Sequence, residues 1–552
     1  MVDFPETWPT LLPTVLSVIP AGEDVQLHGA LRILQDLVEE SLSDEQFFGT
    51  ARDIIKAVYD VALNENRKHT HRGLAVLVFR GCFDLMDIVK DDHKKEVKAF
   101  ADEILQGWLP FFEQAIKSPF PERPAGSDGS TPESWYGPIA LKLQVVKTLI
   151  KIKNVFPALL LPQSPTFFSA TWEELNKLQP IYQGLFIDSD AQGRLEDIDG
   201  LPFTLDFLVL EELDFLNQLM RAPPVQKVLQ AQLDSHAAVH ETPWVLDLMK
   251  LVTSYSRITQ EEEGLWDIDV SLYLAEETSV SSNYTARTAC GDLLIKLGEW
   301  LGSRALDGLF AYTNTLFTGG NADWRSQEAA LYLFNTLVSD FQDCDKPVPN
   351  EIGQAYMELV NYSINRQEEP ILRARGYLVA GMLSKGFSPA CGLLDQAIEA
   401  VTRETSELVQ VACVKAIEGF IRSGHVPQDR QVPIMHAVQQ FLEAKDLTEL
   451  EDADDLLVTL LETLRTAISM DRRIAIHGDN KAIDLLFLIA KHGASNFQVT
   501  MLVRESFEDI AQSLSDSASY TSMCTKVLPS LTGAFDVANM TQNDPLVTVS
   551  HG

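Results

Sequence analysis

The sequence is poor in positive charge and lacks nearly every pattern that marks an enzyme or a metalloprotein. Lys and Arg together number 44 against 79 Asp and Glu, a formal net charge of −35 over 552 residues. A field of that sign repels nucleic acid and anionic membrane surfaces, and it speeds encounter with basic partners at low salt. No apolar run approaches the roughly 18 residues that cross a bilayer. The opening Met1-Val2-Asp3-Phe4-Pro5-Glu6 has neither the basic nor the apolar region of a signal peptide, so secretion is not expected. Cysteines are few and scattered (Cys82, Cys290, Cys344, Cys391, Cys413, Cys524), with no CxxC pair. That scatter argues against a disulfide framework and suits a reducing compartment. There is no GxxxxGK phosphate cradle, no GxSxG elbow and no paired-cysteine zinc pattern. No enzymatic activity, catalytic residue or cofactor is therefore expected.

Strand-like alternation is missing as well. What fills the chain is one repeated unit, two amphipathic helices joined by a short polar turn. Residues 8–19 and 25–42 flank Ala21-Gly22-Glu23-Asp24, and residues 348–365 and 371–386 flank Gln367-Glu368-Glu369-Pro370. Units recur on the order of every 40–47 residues, the HEAT/armadillo range. A helix pair cannot bury its apolar stripe alone, so the expected fold is all-α, a HEAT/armadillo-type α-α superhelix with a long concave face. Residues 1–552 are read as a single solenoid of about ten helix pairs plus a final unpaired helix. Three insertions interrupt it as loops: 119–131, rich in Pro, Gly and Ser; 188–200; and the acidic stretch 260–282. Local signals agree, since Ser43-Asp44-Glu45-Gln46 reads as a capping start. Pro223-Pro224 reads as punctuation. The first helix has Trp8, Leu11, Leu12, Val15 and Leu16 to bury, and the last is half a unit. Solenoids normally end in polar caps, so a fragment is expected.

Three phrases are similar to importin-beta-type nuclear transport receptors (karyopherins). Pro5-Glu6-Thr7-Trp8-Pro9-Thr10-Leu11-Leu12-Pro13 resembles the start of an early HEAT repeat of that family. Leu27-His28-Gly29-Ala30-Leu31-Arg32-Ile33-Leu34 resembles the importin-9 branch, as does Trp266-Asp267-Ile268-Asp269 through Tyr284-Thr285-Ala286-Arg287-Thr288-Ala289. The resemblance spans essentially the whole chain and looks like the central part of a receptor. It implies a carrier that shuttles between cytoplasm and nucleus, binds basic cargo and gives it up to Ran-GTP. The implied cargo is core histones, ribosomal proteins and TATA-binding protein, with nucleoporin FG repeats as further partners. The amino-terminal repeats with the main Ran-binding motif, and the carboxy-terminal arch, have no counterpart in this pattern. A HEAT scaffold subunit of a multi-protein complex, without transport activity, is the alternative.

The leading site candidate is the acidic connector. Glu261, Glu262, Glu263, Asp267, Asp269, Glu276 and Glu277 place seven carboxylates within 17 residues, interleaved with Trp266 and Tyr273. Such a surface offers charge and aromatic area to Lys- or Arg-rich cargo or to Ran. A second set lies on second helices of the pairs: Asp36, Glu39 and Glu40; Asp454 and Asp455; Glu505, Glu508 and Asp509. Exposed pairs with cargo would contribute roughly 0.2–1 kcal/mol each, so affinity would be distributed and salt-dependent. Ordinary polar faces and capping carboxylates are the competing reading for any one of them. Two weaker patterns are set aside. Asp188–Asp199 has carboxylates and a glycine at calcium-loop positions, but Gln192 and Asp199 stand where better ligands belong. His236 and His240 are four apart without a third ligand in view, so no metal is expected. Arg72, Arg287, Arg325, Arg373 and Arg375 fall near the starts of second helices and are read as bridges to acidic residues of neighbouring repeats.

Overall fold

The computed structural model of this chain describes residues 8–534 except 92, 123–132, 191–203, 279–283, 320–322, 446–449, 451–452 and 478–479. Most of the loops expected at 119–131 and 188–200, including the calcium-like pattern from 191 onward, lie outside the described residues. No strand occurs among those described. The fold is an all-α HEAT-repeat solenoid, and its chain divides into two compact units. One is Met1–Leu251 with Thr285–Lys296, the other Val252–Tyr284 with Leu297–Gly552.

The first unit holds α1 (Leu11–Ala21), α2 (Asp24–Asp36), α3 (Asp44–Leu63), α4 (His69–Val89), α5 (Lys94–Lys117), α6 (Glu133–Val155), the single turn α7 (Pro157–Leu160), α8 (Ser164–Tyr182), α9 (Leu205–Met220) and α10 (Pro223–Asp234). Helix α11 (Pro243–Tyr255) begins in it. Second members α2, α4, α6 and α9 pack one on the next. Among first members, α1 lies on α3 and α5 on α8, while Arg52 of α3 pairs with Glu103 of α5. Being sandwiched, α4 buries nearly every side chain from Leu74 to Phe79, as a helix covered on several faces must. Phe79 stacks on Trp108 of α5, ring centroids 3.8 Å apart and 9° from parallel.

The second unit holds α12 (Gln260–Ile268), α13 (Val270–Thr278), the end of α14 (Ala286–Leu301), α15 (Arg304–Thr318), α16 (Trp324–Asp343), α17 (Asn350–Ile364), α18 (Pro370–Leu383), α19 (Leu394–Arg403), α20 (Glu407–Arg422), α21 (Gln431–Glu443), α22 (Asp454–Met470), α23 (Ala482–His492), α24 (Phe497–Gln512) and α25 (Ser517–Ala534). Its second members α16, α18, α20, α22 and α24 form a continuous packed row. Phe334 of α16 stacks on Tyr356 of α17 at 3.4 Å and 9°.

The capping start at 43–46 is realised reciprocally. Ser43 Oγ accepts from the Gln46 N–H at 3.4 Å, and Gln46 Oε1 accepts from the Ser43 N–H at 3.0 Å. Two expectations differ from the structure. Pro223-Pro224, read as punctuation, open helix α10. Proline in a first turn sacrifices no hydrogen bond, because that N–H has no intrahelical acceptor. The described part of 260–282 is two short helices, not a loop. Helix α25, read as the half unit at the end of the array, packs against α23 and the turn Arg472–Ile476.

Candidate site on the acidic connector and the second helices

Helix α12 starts where a Ser/Thr-x-x-Glu pattern starts it. Thr259 Oγ1 accepts from the Glu262 N–H at 3.1 Å, and Glu262 Oε2 accepts from the Thr259 N–H at 2.7 Å. One carboxylate of the acidic run is thus consumed as a cap. Asp269 ends α12 in an extended conformation, φ −140° and ψ 106°, and accepts from the Ser271 N–H at 2.8 Å to start α13. Trp266 and Tyr273 turn inward, 5 % and 1 % exposed, and meet edge to face with centroids 5.3 Å apart. These two aromatic anchors hold the connector to its own unit, where α13 lies against α20 and α22.

Two further carboxylates are committed to arginines. Glu263 pairs with Arg325, whose Nε donates to the Ile258 carbonyl at 3.2 Å and whose guanidinium lies 4.4 Å from the Trp324 ring. Glu277 receives both terminal nitrogens of Arg375, Nη1 to Oε2 at 2.8 Å. Arg375 Nε donates to Glu328 of α16, also at 2.8 Å. Arg375 is 1 % exposed. Burial opposes its charge, but the Glu277 and Glu328 carboxylates outweigh that and hold its pKa above the ordinary arginine value. Glu276 is half-buried, and the connector carboxylates that face solvent are Glu261, Asp267 and Asp269. Beside them Ile268 is 86 % exposed and Leu265 and Leu272 are each 44 % exposed.

The second-helix candidates separate into distinct environments. Asp36 and Glu40 are exposed at the end of α2 and on the π turn Leu37–Ser41, where Glu39 accepts from Gln35 at 3.0 Å. On α24, Glu505 and Asp509 lie 2.8 and 3.9 Å from Arg465 of α22, and Glu508 accepts from Arg504 at 2.9 Å. Asp454 and Asp455 open α22. Burial, then the neighbouring Asp454 and Asp269, push the Asp455 carboxyl above the usual range. The Asp269 charge is thus felt at Asp455, α13 lying against α22, while the α24 acids are held in arginine pairs. Asp267, Asp269, Asp454 and Asp455 have no cation partner among the described residues.

Of the arginines, Arg373 reaches Glu404 ahead of α20 as expected, with Nη1 to Oε2 at 2.8 Å, while its Nε caps the Ile364 carbonyl at 2.9 Å. Arg72 caps the Ala62 carbonyl at 2.7 Å and lies over Phe111, with no carboxylate bonded to it among the described residues. Arg287 is buried. A cation at a helix C-terminus complements the last carbonyls and the dipole, so Arg72 and Arg373 lock first member to second within a pair. Sequence reading missed Lys415, which bridges Glu418 of α20 and Glu462 of α22 at 2.9 and 3.4 Å. It also missed Lys142, fully buried with Glu174 and capping the Ile116 and Ser118 carbonyls at 2.9 and 2.7 Å. Only the i, i+3 spacing of Lys415 and Glu418 was a local signal.

A cleft of about 390 Å³ lies between α8, α10 and α11, lined chiefly by Pro165, Phe168, Trp172, Val228, Pro243 and Trp244. Reading Pro223-Pro224 as punctuation gave no sign of it. His236 and His240 are both exposed; His236 Nδ1 donates to the Gln232 carbonyl at 2.8 Å. Among the described residues no group of three or more His, Cys, Asp or Glu is placed to hold a metal, and no helix is long and apolar enough to cross a membrane.

Comparison with known proteins places these features. Residues 239–494 match the family described as importin-9 central HEAT repeats. Importin subunit beta-5 of Schizosaccharomyces pombe is 26% identical over 555 residues, covering 99% of this chain and 53% of that protein. Importin-9 of Drosophila melanogaster is 19% identical over 512 residues, covering 88% and 46%. Among solved structures, the exportin Cse1 in its cargo-free, cytoplasmic state aligns with a TM-score of 0.56 at 16% identity, over 96% of this chain and 56% of that one. Importin beta in a polyethylene glycol condition aligns at 0.53 and 13% identity, over 98% and 64%. The chain spans about half the length of the curated relatives it matches.

Proposed function

We propose that this chain, of the importin-beta (karyopherin) type with importin-9-like central repeats, works as part of a nuclear transport receptor that captures basic protein cargo on its acidic surface. The observation that carries this reading is the alignment of 99% of the chain with an importin. The charge of −35 supports the sign of the cargo. So do the carboxylates at Asp267, Asp269, Asp454 and Asp455, which have no cation partner among the described residues, whereas Glu263 and Glu277 are paired. Many exposed contacts of this kind are individually weak, so capture rests on their number and weakens steeply with salt. Core histone dimers and ribosomal proteins, and TATA-binding protein, fit that chemistry.

Release in the intact receptor follows Ran-GTP binding, and the receptor moves between cytoplasm and nucleus. The apolar cleft around Phe168, Trp172 and Val228 suits phenylalanine side chains of nucleoporin FG repeats, because an aromatic ring gains most where a preformed apolar pocket excludes water.

The test is binding of purified histone dimers to the chain by interferometry at low and high salt. Tight binding at low salt that collapses at high salt, and is weakened by Asp454→Asn with Asp455→Asn, is the expected result. Indifference to basic proteins, together with stoichiometric co-purification of fixed partners, would identify a scaffold instead.

A further inference from the structure

In a chain of net charge −35, adjacent basic residues are rare: Arg67-Lys68, Lys94-Lys95 and Arg472-Arg473 are the neighbouring pairs of Lys or Arg. Of these, Arg67-Lys68 alone has a hydroxyl residue two places on, Thr70. The pair closes the surface turn between α3 and α4, in which Asn64, Glu65, Asn66 and Lys68 are exposed. Arg67 donates to the Gly22 and Pro20 carbonyls at 3.1 and 3.4 Å, and Lys68 meets Asp24 at 3.0 Å. Thr70 is half-exposed in the first turn of α4, and its hydroxyl makes no hydrogen bond among the described residues.

This helix start already holds a carboxylate. Glu133, the first residue of α6, lies against it with Oε1 accepting from the Thr70 N–H at 3.3 Å. Gly137 leaves the room that Glu133 fills. A β-carbon there would lie 2.5 Å from Glu133 Oε1 and 3.1 Å from the His69 β-carbon. The Glu133 charge is felt at His69, where burial lowers the imidazole pKa and Glu133 opposes that shift. One side-chain anion from α6 thus complements the positive end of α4.

The geometry points to Thr70 as a phosphorylation site for a serine/threonine kinase that reads basic residues, and to Glu133 as the group the phosphate displaces. Kinases select substrates by charge pattern, and an acid-lined groove suits Arg67 and Lys68, three and two places before the hydroxyl. The Thr70 oxygen attacks the γ-phosphorus of ATP, gives up its proton to the kinase and displaces ADP. The product carries a charge of about −1.5 to −2 and three acceptor oxygens. A phosphate at a helix start is favoured by the dipole, and a carboxylate beside it is repelled. The first turn of α6 is thereby released, while α4 stays packed on the rest of α6. The switch needs no particular cargo and stands apart from the transport reading.

The test incubates the whole chain with ATP and the catalytic subunit of a cAMP-dependent kinase, and locates phosphate by peptide mass spectrometry. Phosphate at Thr70 is the expected result, lost in Thr70→Val and slowed in Lys68→Gln. Hydrogen exchange then compares the two forms. Amides between 137 and 142 are expected to exchange about tenfold faster in the phosphorylated chain, as loss of a hydrogen bond to a charged group implies. In Glu133→Gln the same phosphate has a smaller effect, because a neutral amide is not repelled. Failure to phosphorylate Thr70 in the folded chain overturns the inference. So does a Thr70 phosphate that leaves this exchange unchanged, or one whose effect is undiminished in Glu133→Gln.

Discussion

Arg375 and Glu277, 98 residues apart in the chain, form a two-pronged ion pair that fastens the acidic connector to the second-helix row. A planar guanidinium suits two parallel bonds to a carboxylate better than an ammonium does, and here a third donor is spent on Glu328. Removing the cation leaves two buried carboxylates facing each other, which typically costs about 3–5 kcal/mol. Arg375→Met is therefore expected to free α12 and α13 before it unfolds the repeats. Limited proteolysis would show new cleavage between 260 and 284, with a red shift of Trp266 emission. Glu277→Gln, which keeps the shape and loses the charge, should show the same change more weakly. Unchanged protection of this segment in Arg375→Met would mean that Trp266 and Tyr273 alone hold it.

Helices α18 and α20 approach at glycine. A β-carbon on Gly419 would lie 2.7 Å from the Gly381 carbonyl oxygen, and one on Gly381 would lie 2.7 Å from the Ala416 backbone. Ser384 Oγ donates to the Gly381 carbonyl of its own helix at 2.6 Å and reaches across the contact to the Gly419 carbonyl at 3.2 Å. Backbone cannot yield as the end of a side chain can, so Gly419→Ala forces the helices apart. Overpacking of this kind costs about 1–3 kcal/mol, more than the helix-propensity gain of roughly 1 kcal/mol from replacing glycine. The expected outcome is a lowered denaturant midpoint, checked by urea titration against Gly386→Ala, where nothing lies within 4 Å of the added methyl.

Much of this architecture was readable because it is local. Lys94–Lys117 carries its apolar residues at helical spacing, and the reciprocal cap of Ser43 and Gln46 is written in four consecutive residues. The connector misled for a local reason too. Its density of carboxylates suggested a solvated loop, although Thr259-Gln260-Glu261-Glu262 carried a capping pattern and Trp266 and Tyr273 were the side chains to bury. Nothing in the sequence could place Arg375 against Glu277, since no spacing rule spans 98 residues. Nor could it tell Asp455, whose carboxyl feels the charges of Asp454 and Asp269, from Glu505, which pairs with Arg465. Partner choice among surface charges is decided by tertiary packing, where single-helix periodicity is silent.

The cleft between α8, α10 and α11 yields a prediction for the nucleoporin partner. Phe168 and Trp172 sit one turn apart with ring centroids 5.6 Å apart, and Val228 closes one wall while remaining 53 % exposed. A carboxylate at that wall would place charge where an incoming phenylalanine must be dry. Val228→Asp is expected to lower binding of FG-repeat peptides several-fold while leaving thermal stability within about 0.5 kcal/mol, as for other exposed positions. Phenylalanine-to-serine peptides should bind neither form. Chemical-shift or anisotropy titrations with both peptides check this, and equal binding by Val228→Asp and the unaltered chain would place the FG contact elsewhere.

In the first unit a buried group of one cation and two acids makes stability depend on pH. Lys142 pairs with Glu174, while Glu212 is fully buried and neither of its carboxyl oxygens has a hydrogen-bond partner. Burial first, then the Glu174 charge, push Glu212 well above the usual carboxylate range, with Lys142 opposing them. One ammonium balances one carboxylate, so the site favours the neutral form of Glu212. A carboxyl whose folded pKa is raised stabilises the fold fully below its unfolded value of about 4.3. That contribution is lost as pH rises through the folded value, because the unfolded chain then ionises more readily than the folded one. Hydrogen exchange of residues 205–220 should accordingly quicken as pH is raised, beyond the intrinsic chemical rate. Glu212→Met replaces an acid that bonds to nothing with an apolar side chain of similar length, and it should flatten that dependence while matching or exceeding the parent in stability. Lys142→Met leaves Glu174 and Glu212 without their cation and forfeits the caps on Ile116 and Ser118, at about 3–5 kcal/mol. A Glu212→Met protein that still opens with rising pH as the parent does would show that the proton is not on this residue.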